Sequence, residues 1–341
     1  MQLLLDALHS GESFSAEQVQ LAVAWLADPD HPPAPKAHFL QTLRQKGETA
    51  HEIAHFASAL LALAVDPQIP HASLPGPTLD VCGTGGDRLE LFNISTASMF
   101  VLAAGGVVVL KHGNRAITSQ CGGADVLEAL GVPIDLPPHH LRECVLRLGL
   151  GFLFAPSYHP AFRTIAPARK LLAEKGLSSV FNLLGPLLNP AKPQFQLVGI
   201  FSKDQLPSYA QALQLLGRTR AWAIHGGGAD ELTLAGPSEA IEVLPTALRP
   251  FQIDPAQLHL PPAPNEALKG GSRTENAALL QRLLAGEEPG PKSEVVALNA
   301  AAGFVVSGLC HDLPQGLALA KELLENGRAL AKLQALQNFR P

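Results

Sequence analysis

Two hydrophobic patterns divide the chain near residue 70. Before that point, apolar residues recur at helical spacing and runs of β-branched residues are rare. This spacing predicts four helices, the first opening at Leu3 and the second following the capping residue Ser15. The third is expected over 37–45 and the fourth over 49–65, after a proline-rich break at 28–33. The pattern therefore predicts a small helical domain.

Beyond residue 78, short apolar strands alternate with helices, and glycine-rich turns follow several of the strands. Alternation of this kind predicts an α/β domain with a central, mostly parallel sheet. We expect two helices in the tail from 293 to 337 and a surface loop at His139-His140. The predicted fold class is α/β, with a small helical-bundle domain joined to a larger α/β domain. Strands are expected near 79–82, 107–110, 152–154, 197–201 and 221–225.

A glycine-rich segment follows the first predicted strand. In residues 83–87, Gly-Thr-Gly-Gly-Asp, three glycines let the backbone approach a ligand and turn several N–H groups toward one point. The next helix opens at 93–96 with residue types that cap helices. Because a helix N-terminus facing such a loop attracts anions, this segment predicts phosphate binding, most simply of a polyphosphate.

Two basic residues after the second strand support a phosphate site. Lys111 and Arg115 are expected to add positive charge at the same strand ends. Two known phosphate motifs do not fit, because no Gly-Lys-Ser/Thr follows the loop and Arg88 stands at the third glycine of the dinucleotide fingerprint. Taken alone, the loop also fits a plain tight turn. Ser95, Thr96, Lys111 and Arg115, which follow it in the sequence, favour phosphate binding instead.

Several motifs together resemble one enzyme family. Asp-x-x-Gly-Thr-Gly-Gly-Asp at 80–87, Phe-Asn-Ile-Ser-Thr at 92–96 and Lys-His-Gly-Asn-Arg at 111–115 are similar to those of anthranilate phosphoribosyltransferases. The resemblance implies transfer of the phosphoribosyl group of phosphoribosyl pyrophosphate (PRPP) to the amine of anthranilate. The products would be N-(5-phosphoribosyl)-anthranilate and pyrophosphate, in tryptophan biosynthesis. The resemblance extends over essentially the whole chain, through 124–131, 181–190, Asp230-Glu231 and 299–301.

The same resemblance implies a set of site residues. Anthranilate is expected at Gly83, Asn114 and Arg169, with the arginine holding the carboxylate. Mg²⁺ is the implied cofactor, with Ser95, Asp230 and Glu231 as its ligands. The PRPP site is expected to comprise Gly83, Thr84, Gly85, Gly86, Asp87, Leu91, Asn93, Ile94, Ser95, Thr96, Lys111, His112, Gly113, Asn114, Arg115, Ser119 and Gly123.

No residue is assigned as a general base, because the acceptor amine already carries a lone pair. His112 is a candidate to accept a proton or orient the ring, and a packed histidine is the equal alternative. The chain departs from the family pattern at Arg88, Leu91 and Cys121, and its segment after Arg169 is about one helical turn longer. That segment is expected to shift the wall of the acceptor pocket.

The resemblance also implies how the domains are arranged. Residues 160–190 are expected to join the helical domain of residues 1–70. Residues 78–160 and 190–341 are then the phosphoribosyl-binding domain, and the active site lies in the cleft between the two. A homodimer formed through the helical domain is also implied.

The amino-acid composition and net charge exclude some classes of function. Of 341 residues, 47% are hydrophobic and 16% charged, which supports a substantial core. The net charge of −5 provides no general attraction for nucleic acid. Four widely separated cysteines without a Cys-x-x-Cys pair indicate reduced thiols. The longest apolar run, 99–110, is too short to cross a bilayer, and residues 1–3 lack a basic signal. We therefore expect a cytoplasmic protein without membrane association.

Three other functions stay open from the sequence. A pyrimidine nucleoside phosphorylase of the same fold would use inorganic phosphate, but Asp230, Glu231 and Asn114 favour the transferase. A non-enzymatic relative that binds nucleic acid would have a degenerate loop and a basic groove, whereas this loop is intact. His51-Glu52-x-x-His55 matches a zinc hydrolase motif, but without an obvious third ligand a chance match on a helix face is favoured.

Overall fold

The computed structural model describes residues 1–116 and 120–341. The four predicted N-terminal helices are confirmed as α1 (Gln2–His9), α2 (Ala16–Ala27), α3 (Pro33–Lys46) and α4 (Ala50–Ala62). Helix α3 begins four residues earlier than predicted, because proline is well tolerated in the first turn of a helix. The predicted capping signal is also confirmed, since the Ser15 hydroxyl accepts a hydrogen bond from the Gln18 N–H at 3.3 Å.

The α/β part is built on a seven-stranded sheet with strand order β3-β2-β1-β4-β5-β6-β7. The strands are β1 (Thr78–Gly83), β2 (Val108–Gly113), β3 (Leu150–Phe154), β4 (Phe195–Gly199), β5 (Arg220–His225), β6 (Ser238–Leu244) and β7 (Ala247–Ile253). The helices are α5 (Ile94–Ala104), α6 (Gly123–Ala129), α7 (Pro138–Leu148), α8 (Ala155–Tyr158), α9 (Phe162–Ala173), α10 (Phe181–Leu184), α11 (Leu206–Leu215), α12 (Arg273–Leu284), α13 (Pro291–Val306), α14 (Leu313–Glu325) and α15 (Arg328–Gln337).

The sheet is mostly parallel, as predicted. Strands β1 to β5 pair in parallel, whereas β6 and β7 form an antiparallel extension. This hairpin is absent from the prediction. Its turn lacks an Asn-Gly or Asp-Gly signal, and Pro250 lies within β7, which is tolerated because β7 is the last strand at the edge of the sheet.

Two other predictions of secondary structure are wrong. The tail holds three helices rather than two, because Gly327 takes a backbone φ of +76° and separates α14 from α15. His139 and His140 lie in the first turn of α7 and not in a loop, since Pro138 occupies the first helical position there.

The parallel strands place the polar loops at one edge of the sheet. β1 lies at the centre, between β2 and β4, and all three run in the same direction. Helix α5, which is buried along nearly its whole length, packs against β1 and α13. The loop after β1 therefore enters α5 at the carboxyl edge of the sheet, where ligands bind in open α/β folds.

Helix α9 packs against α2 and α3. Its residues Ile165, Ala168 and Leu172 lie in the same apolar core as Leu40 and Phe56 of the helical part. This packing supports the assignment of residues 160–190 to the helical domain, and the exact domain boundaries remain a prediction. Within the part of the chain that the structure describes, no helix has both the length and the apolarity to cross a membrane.

Glu52, the acid of the zinc-hydrolase-like motif, serves the helical domain. Its carboxylate is fully buried and accepts hydrogen bonds from the Phe14 N–H at 3.0 Å and the Thr49 N–H at 2.9 Å. It also forms an ion pair with Lys46 at 2.7 Å. Burial by itself would raise the pKa of Glu52, but these partners outweigh burial and lower it. The carboxylate thus has a structural role.

Replacing Glu52 with glutamine is expected to lower the free energy of unfolding by about 2–3 kcal/mol, because Lys46 and the N-terminus of α4 lose a charged partner. Urea unfolding at neutral pH tests this. Because the folded state lowers this pKa, the stabilisation is complete above the usual pKa of 4.5 and is lost as the pH falls through the lower folded-state pKa. The difference from wild type should therefore shrink in acid. Glu12→Gln, at an exposed position between α1 and α2, is the control and should match wild type. Equal unfolding midpoints for Glu52→Gln and wild type would contradict this role.

Candidate active site

The glycine loop leaves β1 at Gly83 and is anchored to the neighbouring strand. The Thr84 N–H donates to the Gly199 carbonyl at 2.9 Å, and the Thr84 hydroxyl accepts from the Phe201 N–H at 3.1 Å. Gly85 and Gly86 follow with φ angles of +68° and +89° and are exposed. Thr84 thus fixes the base of the loop, while the two glycines keep their backbone accessible to a ligand.

The N-terminus of α5 lies beside this loop. Asn93 is at the cap position, but its side chain does not cap the helix. Instead its amide donates to the Cys121 carbonyl at 2.9 Å, and its carbonyl accepts from Asn276 at 3.2 Å. The Ser95 N–H, in the first turn, donates to the Glu231 carboxylate at 3.1 Å. The positive end of the helix is therefore directed at an acidic side chain.

Asp230 and Glu231 approach the loop and the helix from the segment after β5. The Asp230 carboxylate accepts from the Gly85 N–H at 2.6 Å, as Glu231 does from Ser95. A Cβ at Gly83 or Gly199 would overlap Asp230, so only glycine at these two strand ends permits the approach. The acidic pair is therefore held against the carboxyl ends of β1 and β4.

The two acids share a poorly hydrated environment. Loss of hydration raises the pKa of Asp230, and the neighbouring Asp87 raises it further. Loss of hydration also raises the pKa of Glu231, followed by repulsion from Asp230, and Lys111 offsets only part of this effect. Two neighbouring carboxyl groups whose repulsion Lys111 offsets only in part favour the arrival of a cation.

The donor set suits magnesium. Asp230, Glu231 and the Ser95 hydroxyl are hard oxygen donors, which Mg²⁺ prefers. Among residues 1–116 and 120–341, no group of three or more histidine, cysteine, aspartate or glutamate side chains forms a metal cage. A partial donor set is compatible with Mg²⁺, because this ion commonly keeps water and substrate phosphate in its coordination shell.

Lys111 lies beneath the loop. Its side chain is buried, and its ammonium donates to the Val81 carbonyl and to the Ser95 hydroxyl. The lysine therefore ties β1 to the start of α5 and brings its charge to the site from behind. Gly123 packs against Thr96 and the Lys111 side chain on the same side.

Other predicted residues near the loop contact groups other than the loop and the two acids. The Arg115 guanidinium binds both carboxylate oxygens of Glu128, at 2.6 and 2.9 Å, so its charge is largely balanced. Asn114 is exposed, and its backbone carbonyl accepts from the Ala124 N–H. Leu91 forms an isolated β-bridge with Lys269. Ser119 lies outside the described residues.

His112, one residue before the end of β2, has a buried, neutral imidazole. Its Nδ1 lies 3.2 Å from the Gly185 carbonyl, which can only accept, so Nδ1 carries the hydrogen and Nε2 is an acceptor. Burial and the neighbouring His159 lower the pKa of His112 to about 3. Burial likewise lowers the pKa of His159 to about 4. The Nε2 atoms of both rings have no hydrogen-bond partner among the described residues.

These two rings begin a row that leads to Arg169. His112 and His159 meet edge to face at 5.2 Å, and His159 stacks on Phe162 at 5.0 Å. Phe162 meets Phe181 at 5.7 Å, and the Arg169 guanidinium lies 5.3 Å from the Phe181 ring centre. We call this row, which consists of four flat rings and ends at a guanidinium, the acceptor wall. Its members are His112, His159, Phe162, Phe181 and Arg169. His159 is absent from the predicted site because a His-Pro pair is typical of a turn and because its partners are distant in the sequence.

Among residues 1–116 and 120–341, no carboxylate forms an ion pair with Arg169, and burial lowers its pKa. Helix α9 continues only four residues past Arg169, to Ala173, and the longer segment then connects Arg169 to Phe181, which are both members of the acceptor wall. A half-buried guanidinium beside flat rings is suited to an aromatic carboxylate.

Comparisons with known proteins agree with this arrangement. The "Glycosyl transferase family, a/b domain" model matches residues 75–330, and the "Glycosyl transferase family, helical bundle domain" model matches residues 2–64. The chain is 46% identical over 329 residues to the anthranilate phosphoribosyltransferase of Thermus thermophilus, covering 96% of each. It is 44% identical over 306 residues to that of Chloroflexus aurantiacus, covering 89% of this chain and 88% of the relative.

Solved structures show the same relationship. A crystal structure of anthranilate phosphoribosyltransferase from Thermus thermophilus superimposes with a TM-score of 0.90 at 43% identity, covering 98% of both chains. The Saccharomyces cerevisiae enzyme in complex with PRPP and Mg superimposes with a TM-score of 0.84 at 27% identity, covering 94% of this chain and 91% of that one. With this fold, these motifs and this degree of identity, the chain belongs to the anthranilate phosphoribosyltransferase family.

Proposed function

We propose that this protein transfers the phosphoribosyl group of PRPP to the amine of anthranilate, releasing pyrophosphate, in tryptophan biosynthesis. The observation that carries the proposal is the contact of Asp230 and Glu231 with the N–H groups of Gly85 and Ser95. Carboxylates for a divalent cation are thereby held beside the glycine loop and the start of α5, whose other N–H groups are donors for a polyphosphate. The solved relative with bound PRPP and Mg supports the same pairing.

The phosphate side stabilises a leaving group. The pyrophosphate takes up negative charge as its bond to the ribose breaks. The glycine loop and the start of α5 offer it N–H groups other than those of Thr84, Gly85 and Ser95, which already donate within the protein. Lys111 adds positive charge from beneath. Mg²⁺, held by Ser95, Asp230 and Glu231, supplies further charge neutralisation when bound. The remaining predicted PRPP residues, including Arg115 and Ser119, stay part of the proposal.

The acceptor side orients anthranilate. We assign its carboxylate to Arg169 and its ring to the acceptor wall. With a pKa of about 3, His112 is too weak a base to hold a proton near neutral pH, so it is not assigned as a general base. The acceptor amine already carries a lone pair and does not require one.

Anthranilate fluorescence is expected to fall when enzyme, PRPP and Mg²⁺ are mixed, and to stay constant when PRPP is omitted or EDTA is added. The loss reports conversion of the amine, and the EDTA arm reports the cation. If fluorescence stays constant while PRPP still raises the melting temperature, the phosphate site stands and the acceptor assignment is wrong.

Replacing Arg169 with alanine is expected to raise the KM for anthranilate about 10- to 100-fold, because the carboxylate loses a charged hydrogen-bonding partner. The KM for PRPP should change less than about twofold, because Arg169 lies at the far end of the acceptor wall. Steady-state kinetics with each substrate varied in turn measures both. Lys170→Ala, one exposed residue further along α9, is the control. An unchanged KM for anthranilate would show that another residue holds the carboxylate.

We also propose a cytoplasmic homodimer joined through the helical domain. Leu21, Leu63 and Val65 are exposed there, with 65%, 44% and 38% of their surface accessible. A cleft of about 290 Å³ between α2 and α4 adds to this apolar surface. The four cysteines are free and buried, in keeping with a reducing compartment. Light scattering should give twice the chain mass of 36.0 kDa, and the mass of a single chain would contradict the dimer.

A further inference from the structure

Asn299 is a polar residue in an otherwise apolar helix. It lies in the middle of α13, where every residue from 295 to 306 is buried, and it is itself fully buried. Its neighbours in that stretch are valine, alanine, leucine, glycine and phenylalanine. Asparagine is a poor helix former, and burying an amide is unfavourable unless its hydrogen bonds are made. Packing alone does not account for this residue.

The Asn299 side chain binds both sides of one backbone residue. Its carbonyl accepts from the Leu232 N–H at 3.2 Å, and its amide donates to the Leu232 carbonyl at 2.9 Å. The second amide hydrogen goes to the Val295 carbonyl at 2.9 Å, one turn back in α13. Every hydrogen-bonding group of the amide is therefore used, and the side chain pairs with Leu232 as a neighbouring strand would.

Leu232 follows Glu231 directly, so Asn299 acts on the segment that carries the two acids. This segment lies between β5 and β6 and is outside the sheet. Helix α13 also packs against α5, whose Ser95 N–H binds the Glu231 carboxylate. One helix thus supports both the acids and the helix N-terminus opposite them, and Asn299 supplies the polar link to the acids.

We propose that Asn299 is a positioning residue for the divalent cation site, holding the backbone of Asp230 and Glu231 at the spacing that cation binding requires. The inference rests on the proposed function, because it takes these two acids as cation ligands. Residues that orient ligands without touching the metal typically change metal affinity about 10- to 100-fold when they are replaced. Asn299 has the burial, the bonds and the position of such a residue.

The test measures binding of Mn²⁺ alone by the electron paramagnetic resonance signal of the free ion. Asn299→Leu keeps the branching and approximate volume of the side chain and removes all three hydrogen bonds. Its Kd for Mn²⁺ is expected to rise about 10- to 100-fold. In turnover assays the Mg²⁺ needed for half-maximal rate should rise, while the KM for anthranilate stays within about twofold of wild type.

Two further variants separate positioning from loss of stability. In Asn299→Ser, the hydroxyl can still donate to the Val295 carbonyl within the helix, but the side chain is too short to reach Leu232. This variant replaces Asn299→Leu in the test if Asn299→Leu does not fold. It should weaken Mn²⁺ binding as Asn299→Leu does. Val306→Ala truncates a buried residue two turns further along α13, so it lowers stability without touching the acidic segment. It should bind Mn²⁺ as wild type does.

The double variant Asp230→Ala with Glu231→Ala tests the cation assignment separately from the positioning role of Asn299. It should lose the Mn²⁺ site and Mg²⁺-dependent turnover. If it binds Mn²⁺ like wild type, the cation assignment in the proposed function is wrong. If it loses Mn²⁺ while the Asn299 variants keep the wild-type Kd, the cation site stands and the positioning role of Asn299 is overturned. An equal effect of Val306→Ala would assign the change to stability and would also overturn it.

Discussion

The contact of two carboxylates with two backbone N–H groups is the constraint on which the rest of this site depends. Asp230 binds the Gly85 N–H and Glu231 binds the Ser95 N–H, at the edge where parallel strands end. Gly83 and Gly199 give Asp230 the space to approach. The glycine loop, the start of α5 and the acidic segment are thereby brought together, so that groups for an anion and groups for a cation meet at one place.

The two halves of the site differ in their electrostatics. On the phosphate side, buried Lys111 and the oriented N–H groups supply positive potential close to the acids. The acceptor wall is different, because burial lowers the pKa of His112 and His159 and keeps both rings neutral. Arg169 is then the cation of that wall. A neutral, flat surface with a guanidinium at its end favours an aromatic carboxylate over a polyphosphate.

Much of the fold follows from periodicity and local chemistry. The five parallel strands, the four N-terminal helices and the glycine loop are recognisable because apolar spacing and capping are local properties. The errors fall where a local signal is weak. β7 carries Pro250, which an edge strand tolerates, and α15 is separated from α14 only by the turn at Gly327. The double proline before His139 reads as a loop, although proline also begins helices.

The sequence by itself determined the chemical types at the site, because the glycine loop, the polar start of α5 and the adjacent acids are contiguous motifs. The tertiary structure decided which of them meet, since Ser95 and Glu231 are 136 positions apart in the chain. In the folded chain, the Lys111 side chain lies beneath the loop, Arg115 pairs with Glu128, and His159 packs into the acceptor wall. The tertiary structure also assigned Asn299 to the acidic segment. Hydrogen-bond partners of buried side chains are set by packing between distant segments, and no local pattern encodes them.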